Sequence, residues 1–135
     1  MNEPLQDSLL KGRLANKTGE TILVYGPKVA GETRHNSLYY LPNGRKTPDS
    51  WDCDGCFIPN DRTAVQLVLP DRKGPVAVKY NDLQSANITL NAPGKYGCQG
   101  NEKVFAPGEV KWEIPNIAFG SVPSSYPEVP GHLPA

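Results

Sequence analysis

Short runs of β-forming residues, each closed by proline or glycine, set the limits on what this chain folds into. "TILVYGP", "SLYYLPNG", "VQLVLP" and "LNAPG" share one pattern: a few β-branched, aromatic or alternating residues, then a residue that breaks a ladder or turns the chain. Proline fixes φ and lacks an N–H donor, and glycine admits backbone conformations closed to other residues. With 14 Pro and 13 Gly in 135 residues, the chain reads as many short segments joined by turns. That excludes long helices and predicts an all-β fold.

The strand candidates follow in order. After a polar turn around Lys17–Gly19, Thr21 to Tyr25 is a run of β-formers stopped by Gly26-Pro27. Ser37 to Leu41 is a second strand, ended by Pro42 and the Asn43-Gly44 turn signal. In the third, Ala64, Gln66 and Val68 share one face and Val65, Leu67 and Leu69 the other. Val76 to Tyr80 is a fourth. The fifth, "SANITLNAPG", alternates strictly: Ala86, Ile88 and Leu90 against Asn87, Thr89 and Asn91, which predicts one buried and one wet face. Shorter candidates lie at Tyr96–Gln99 and Lys103–Phe105. In "GEVKWEIPN", Val110, Trp112 and Ile114 oppose Lys111 and Glu113, the pattern of a last strand. Strand spacing leaves no room for crossover helices, so the expected architecture is an antiparallel β-sandwich or partly open barrel.

The two ends read differently. Residues 5–14, "LQDSLLKGRL", predict a short N-terminal helical turn with Leu5, Leu9 and Leu10 on one side. After Asn116 the chain carries Pro123, Pro127, Pro130 and Pro134, which predicts an extended, polyproline-like C-terminal arm. Its apolar residues, Phe119 and Tyr126 among them, are expected to anchor it against its own domain or a neighbour. The expected organisation is a single β-sandwich-like domain over residues 1–116 and a Pro-rich tail over residues 117–135.

Charge narrows the partners. Fourteen acidic and 14 basic residues balance, with no run of like charges beyond two. A nucleic-acid partner and a polybasic membrane anchor are therefore not expected. The first twenty residues hold no apolar stretch of signal-peptide length, so the expected location is cytoplasmic, or exported without a cleaved signal peptide. Three cysteines, an odd number, do not make a fully paired secreted framework. The sequons at Asn16 and Asn87 would matter only in a eukaryotic secretory pathway.

The densest chemistry is "TPDSWDCDGCFIPNDR", residues 47–62. Asp49, Asp52 and Asp54 offer oxygen ligands to a hard cation such as calcium. An EF-hand frame started at Asp52 fails, because Cys56 stands at its fifth position and Thr63 at its twelfth. Cys53-Asp54-Gly55-Cys56 has the spacing of one zinc knuckle and lacks a second pair. Pro59 prevents a helix running on from that pair, and the neighbouring carboxylates oppose a thiolate, so redox catalysis is not expected. A bridge from Cys53 or Cys56 to Cys98 is expected only under oxidising conditions. A hydrolytic triad would need His35 or His132, and a glycosidase pair would need an aromatic cleft beside Asp52 and Asp54. The simplest account is a compact loop pinned by Trp51 and Phe57, its aspartates bonding turn N–H groups and Asp61 pairing with Arg62.

These residues lead to one main expectation and two alternatives. The main one is a non-catalytic β-sandwich that binds a protein or glycan partner, or copies of itself as an oligomer, with no cofactor. Its binding loop would be Asp49, Trp51, Asp52, Asp54, Asp61 and Arg62. The alternatives are a small metal-dependent hydrolase or effector centred on Asp49–Asp61, and a calcium-dependent glycan-binding module using Asp49, Asp52 and Asp54.

Overall fold

The structure, a computed structural model, describes residues 12–66, 68–80, 85–99, 102–121 and 126–135, with Gln99 described by its backbone alone. The predicted helical turn at residues 5–14 falls largely outside this range, and Arg13 and Leu14 at its end belong to a strand.

Among the described residues, twelve strands follow one another. They are β1 (Arg13–Lys17), β2 (Ile22–Gly26), β3 (Ser37–Leu41), β4 (Arg45–Lys46), β5 (Gly55–Ile58) and β6 (Thr63–Val65). Then come β7 (Arg72–Lys73), β8 (Val76–Tyr80), β9 (Ser85–Ala92), β10 (Lys95–Gln99), β11 (Glu102–Phe105) and β12 (Leu133–Pro134). A single 3-10 turn at Phe119–Ser121 is the only helical element among the described residues, and no helix there is long and apolar enough to cross a membrane. The strands form two open sheets, a seven-stranded one in the order β12-β4-β1-β9-β10-β6-β7 and a five-stranded one in the order β11-β8-β5-β2-β3.

The pairing is mixed rather than purely antiparallel. β1 runs parallel to β9, with Leu14 opposite Ala86 and Asn16 opposite Ile88, and β6 runs parallel to β10. Neither pair is joined by a hairpin, and alternation along a strand encodes which face is buried but not its direction. The Asn43-Gly44 turn, with Gly44 at φ +75°, does not close a hairpin. It carries the chain from β3 in one sheet to β4 in the other.

The main core lies between the sheets. Leu14, Ala86, Ile88, Tyr96 and Cys98 from the larger sheet meet Ile22, Val24, Cys56, Ile58, Val76 and Val78 from the smaller. Burying each aliphatic or aromatic side chain there contributes about 1.5–3 kcal/mol. One inward position is polar: Asn16 is fully buried. Its amide donates to the carbonyls of Glu20 at 2.7 Å and Leu41 at 3.0 Å, and its oxygen accepts from the Thr18 N–H and hydroxyl. Buried and committed in this way, Asn16 leaves no room for a glycan on its sequon.

The five-stranded sheet is covered on both faces. Leu23, Tyr25, Leu38, Phe57 and Ala77 point away from the main core, and Trp112, Val110, Ile114, Ile117 and Tyr126 pack over them. This explains why β2 and β5 are buried at every position. Here the expectation of a strand at residues 109–114 is corrected: the segment makes no ladder. The alternation of Val110, Trp112 and Ile114 reflects a face laid on a sheet. Tyr25 fixes the segment, since its ring lies 4.6 Å from that of Trp112 and its hydroxyl donates to the Glu113 carbonyl. The third expected strand is also shorter than its pattern. β6 stops at Val65, Gln66 turns back to donate to the Pro70 carbonyl at 2.8 Å, and Val68 and Leu69 are exposed.

The last described segment lies along strand edges of its own chain. Tyr40 of β3 donates to the Pro127 carbonyl at 2.8 Å, and Val129 donates to Tyr40 at 2.9 Å. Val129 is buried in the main core, and β12 pairs antiparallel with β4.

Candidate functional site

The aspartate-rich loop is built on Trp51. The indole is buried and meets the Tyr39 ring edge-on at 4.9 Å, and Phe57 is buried on the opposite face of the smaller sheet. Asp52 accepts the Gly12 N–H at 3.2 Å, and Asp49 lies 3.6 Å from the Arg13 guanidinium. Asp54 ties the loop to the sheet through its backbone, donating to Tyr25 at 2.8 Å and accepting from Tyr80 at 2.9 Å. Cys53 and Cys56 are both buried. Burial pushes the Cys53 thiol up, and Cys56 is raised by its hydrogen bond to Cys98 and then by burial. Among the described residues no three Cys, His, Asp or Glu side chains converge as a metal-donor set. His35 is exposed, with its backbone N–H directed to the Lys111 carbonyl at 3.4 Å.

Asp61 and Arg62 belong to a second cluster. Arg62 grips Glu20 with two bonds, Nε to Oε1 at 3.1 Å and Nη2 to Oε2 at 2.8 Å. The Tyr96 hydroxyl donates to the same carboxylate. The Arg62 bond holds Glu20 below the usual carboxylate range, while burial and then the Glu20 bond push the Tyr96 phenol up. Asp61 lies 3.4 Å from Arg62 and accepts the Phe119 N–H at 2.8 Å, and the guanidinium sits 4.5 Å over the Phe119 ring. This cluster clamps the turn before β2 and the segment at Phe119 onto the start of β6.

A third cluster holds the C-terminal segment. Arg45 Nε donates to His132 Nδ1 at 2.7 Å, which leaves the ring proton on Nε2, facing Glu128. The other Glu128 oxygen accepts from the Tyr40 hydroxyl at 2.9 Å. The His132 bond, with Tyr40 second, lowers the Glu128 carboxyl.

The outer face of the seven-stranded sheet carries an arrangement of a different kind. β1 turns Leu14 and Asn16 inward and Arg13, Ala15 and Lys17 outward. Ala15 pairs with Lys46 of β4 on one side and Asn87 of β9 on the other. Adjacent strands lie about 4.8 Å apart, so Lys46 and Asn87 flank the small Ala15 at a separation of about 10 Å. The result is an open groove of about 260 Å³, with Ala15 in its lining. Its rim bears three cations, Arg13, Lys17 and Lys46, with Asn87 and Ser85 as uncharged polar groups and Asp49 beside Arg13. Such a groove can hold a carboxylate or sulfate by charge and hydrogen bonding together.

The structure thus distributes the expected loop residues among separate tasks. Asp49 alone borders the groove; Asp52 and Trp51 build the loop, and Asp61 and Arg62 serve the Phe119 clamp. Of the two expected tail anchors, Phe119 lies under Arg62 and Tyr126 packs on the outer face of the five-stranded sheet. Arg13 escaped sequence reading because β1 begins where a helical turn is expected, Lys17 because a turn is expected there, and Lys46 because β4 is only two residues long. The period-two signal Arg13–Ala15–Lys17 was the available clue, and Asn87 was already placed on the wet face of its strand. No protein-family profile, curated protein or solved structure matches the chain.

Proposed function

We propose that this chain is a non-catalytic β-sandwich binding module that takes an anionic partner in the groove over Ala15. The observation that carries the reading is three cations gathered on the exposed face of a sheet whose other face is core. The sheet supplies a rigid base, and Lys17 and Lys46 are exposed, so their charges are available to a partner at little cost to folding. Electrostatic complementarity of this kind mainly sets partner choice and association rate.

The hydrolase and calcium-module alternatives draw less support, since Asp49, Asp52 and Asp61 each already engage a protein group. Assembly through an extended Pro-rich arm draws less support too, because Pro127, Val129 and β12 bond to the chain's own β3 and β4. The test is binding of a labelled polyglutamate peptide and of a sulfated polysaccharide, by anisotropy, to the native chain and to Lys17→Glu/Lys46→Glu. The reading expects at least one probe to bind, more weakly as salt rises, and about tenfold or more loss in the variant. If neither probe binds, or the variant binds as well as the native chain, the reading is wrong.

A further inference from the structure

β9 carries the groove over Ala15 on into a longer polar row. Its outward residues are Ser85, Asn87 and Thr89, followed by the exposed Asn91. Pairing with β1 sets Ser85 beside Arg13, Asn87 beside Ala15 and Thr89 beside Lys17. A cation of β1 therefore has a hydroxyl-bearing neighbour at each end of that strand, and the two ends are about 13 Å apart at the ordinary strand rise. The ends differ in charge. Asp49 sits beside Arg13, whereas among the described residues no ion pair holds Lys17 or Lys46.

Asn91 stands just past the Lys17 end. The β9–β10 register shifts there, Lys95 facing Ala92 and Tyr96 facing Leu90, so Asn91 takes no Cα partner in the ladder. A bulge of this kind re-aims a side chain. The Asn91 amide lies over Gly97, where any Cβ would collide with it, and the Thr89 hydroxyl donates to its oxygen at 3.1 Å. With that oxygen engaged, the amide N–H groups are the part of Asn91 that can donate to a ligand.

We propose that the groove and the Asn87–Thr89–Asn91 row form one track for a linear sulfated polysaccharide. Lys17 and Lys46 attract its sulfates, the Asn87 and Asn91 amides donate to sulfate and hydroxyl oxygens, and Thr89 positions Asn91. This rests on the anion-binding reading of the groove and names the class of its ligand. Two features favour a saccharide over an acidic peptide. β1 is flanked by β4 and β9, and β9 by β1 and β10, so the track has no free strand edge for a peptide backbone to join. Recognition falls to side chains, and amides set among cations suit a chain whose hydroxyls and sulfates are interspersed. Among the described residues β1 and β9 turn no aromatic ring outward, so charge and hydrogen bonding carry the contact, without ring stacking.

The experiment titrates the native full chain with heparin oligosaccharides of increasing length, with the same oligosaccharides desulfated, and with polyglutamate, read by anisotropy and by amide chemical shifts. Sulfated oligosaccharides are expected to bind more tightly as they lengthen, and to shift the amides of Asn87, Thr89 and Asn91 as well as those of Lys17 and Lys46. The desulfated set should bind at least tenfold more weakly, by about the loss of one charged contact. Thr89→Val and Asn91→Ala should each weaken sulfated binding by about threefold to tenfold and leave polyglutamate affinity unchanged. Polyglutamate binding tighter than every sulfated oligosaccharide would overturn the track. So would sulfated binding that moves neither the Asn91 amide in the native chain nor the affinity of the two variants. The groove reading survives either result if Lys17→Glu/Lys46→Glu loses the bound probe; binding of no probe at all overturns both.

Discussion

Trp51 occupies the space above Gly26: a Cβ built on that glycine would lie 2.1 Å from the indole ring. The end of β2 and the aspartate-rich loop are therefore one packing unit, although 25 residues separate them. Trp51→Ala is expected to cost about 3–5 kcal/mol of stability. Gly26→Ala should cost about 1–3 kcal/mol, because the ring must move. Once the ring is gone its clash with the added methyl is gone too, so the double variant should lose less than the sum of the two. Urea denaturation of the four proteins checks this; strict additivity would show that the ring and the glycine are not coupled.

Glu20 and Arg62 predict how acid acts on the fold. Glu20 is held below its usual range by the Arg62 bond. A carboxylate lowered in the folded state stabilises above its unfolded pKa of about 4.3, and that contribution is lost as pH falls through the folded value. Glu20→Gln should therefore lower the denaturation midpoint at pH 7 and converge with the native chain as the pH drops below 4. A constant gap between the two proteins from pH 7 to pH 3 would contradict this.

Two buried asparagines should respond in opposite ways. Asn16 is satisfied on both amide atoms, and Asn16→Leu strands the carbonyls and N–H it served, costing about 2–4 kcal/mol. Asn36 is also buried, yet both its amide atoms lack a protein partner. Asn36→Leu should be neutral or stabilising, by up to about 2 kcal/mol. Equal losses in chemical denaturation would mean that Asn36 has a partner of its own.

Val129 ties the C-terminal segment to the interior. It is buried and donates to Tyr40. Val129→Ala should destabilise by about 2 kcal/mol and should speed hydrogen exchange at the Val129 and Ala135 amides, leaving β8 and β9 protected. Unchanged exchange at both amides would show that the segment is held elsewhere.

Sequence reading reached the strands whose burial pattern is simple. Val76–Tyr80 and Ser37–Leu41 coincide with β8 and β3, and β9 keeps the predicted wet face of Asn87 and Thr89. It failed where period-two alternation has another cause. Trp112 alternates because it lies on a sheet, with no ladder of its own. The third expected strand runs on to Leu69 in its pattern, yet β6 ends at Val65, Gln66 bonds Pro70, and Val68 and Leu69 are exposed. Parallel pairing of β1 with β9 was out of reach, because it joins segments distant in sequence. Asp52, expected to bond a turn N–H of its own loop, accepts from Gly12 on a distant part of the chain, whereas the Asp61–Arg62 pair follows local chemistry and was legible. The Arg13–Lys17–Lys46 groove is assembled from three strands and was not.

The double cover on the five-stranded sheet bears on what happens before folding is complete. Ile22–Gly26 is an uncharged, β-branched and aromatic run of the kind that pairs readily with other chains. In the finished fold β3 and β5 occupy its two edges, and Trp112 and its neighbours close its outer face. Until residues 106–117 come down, that face is bare. The segment that looks like a failed strand thus acts as a guard against aggregation: loosening it at Trp112 would cost the chain solubility during synthesis well before it cost the finished protein its shape.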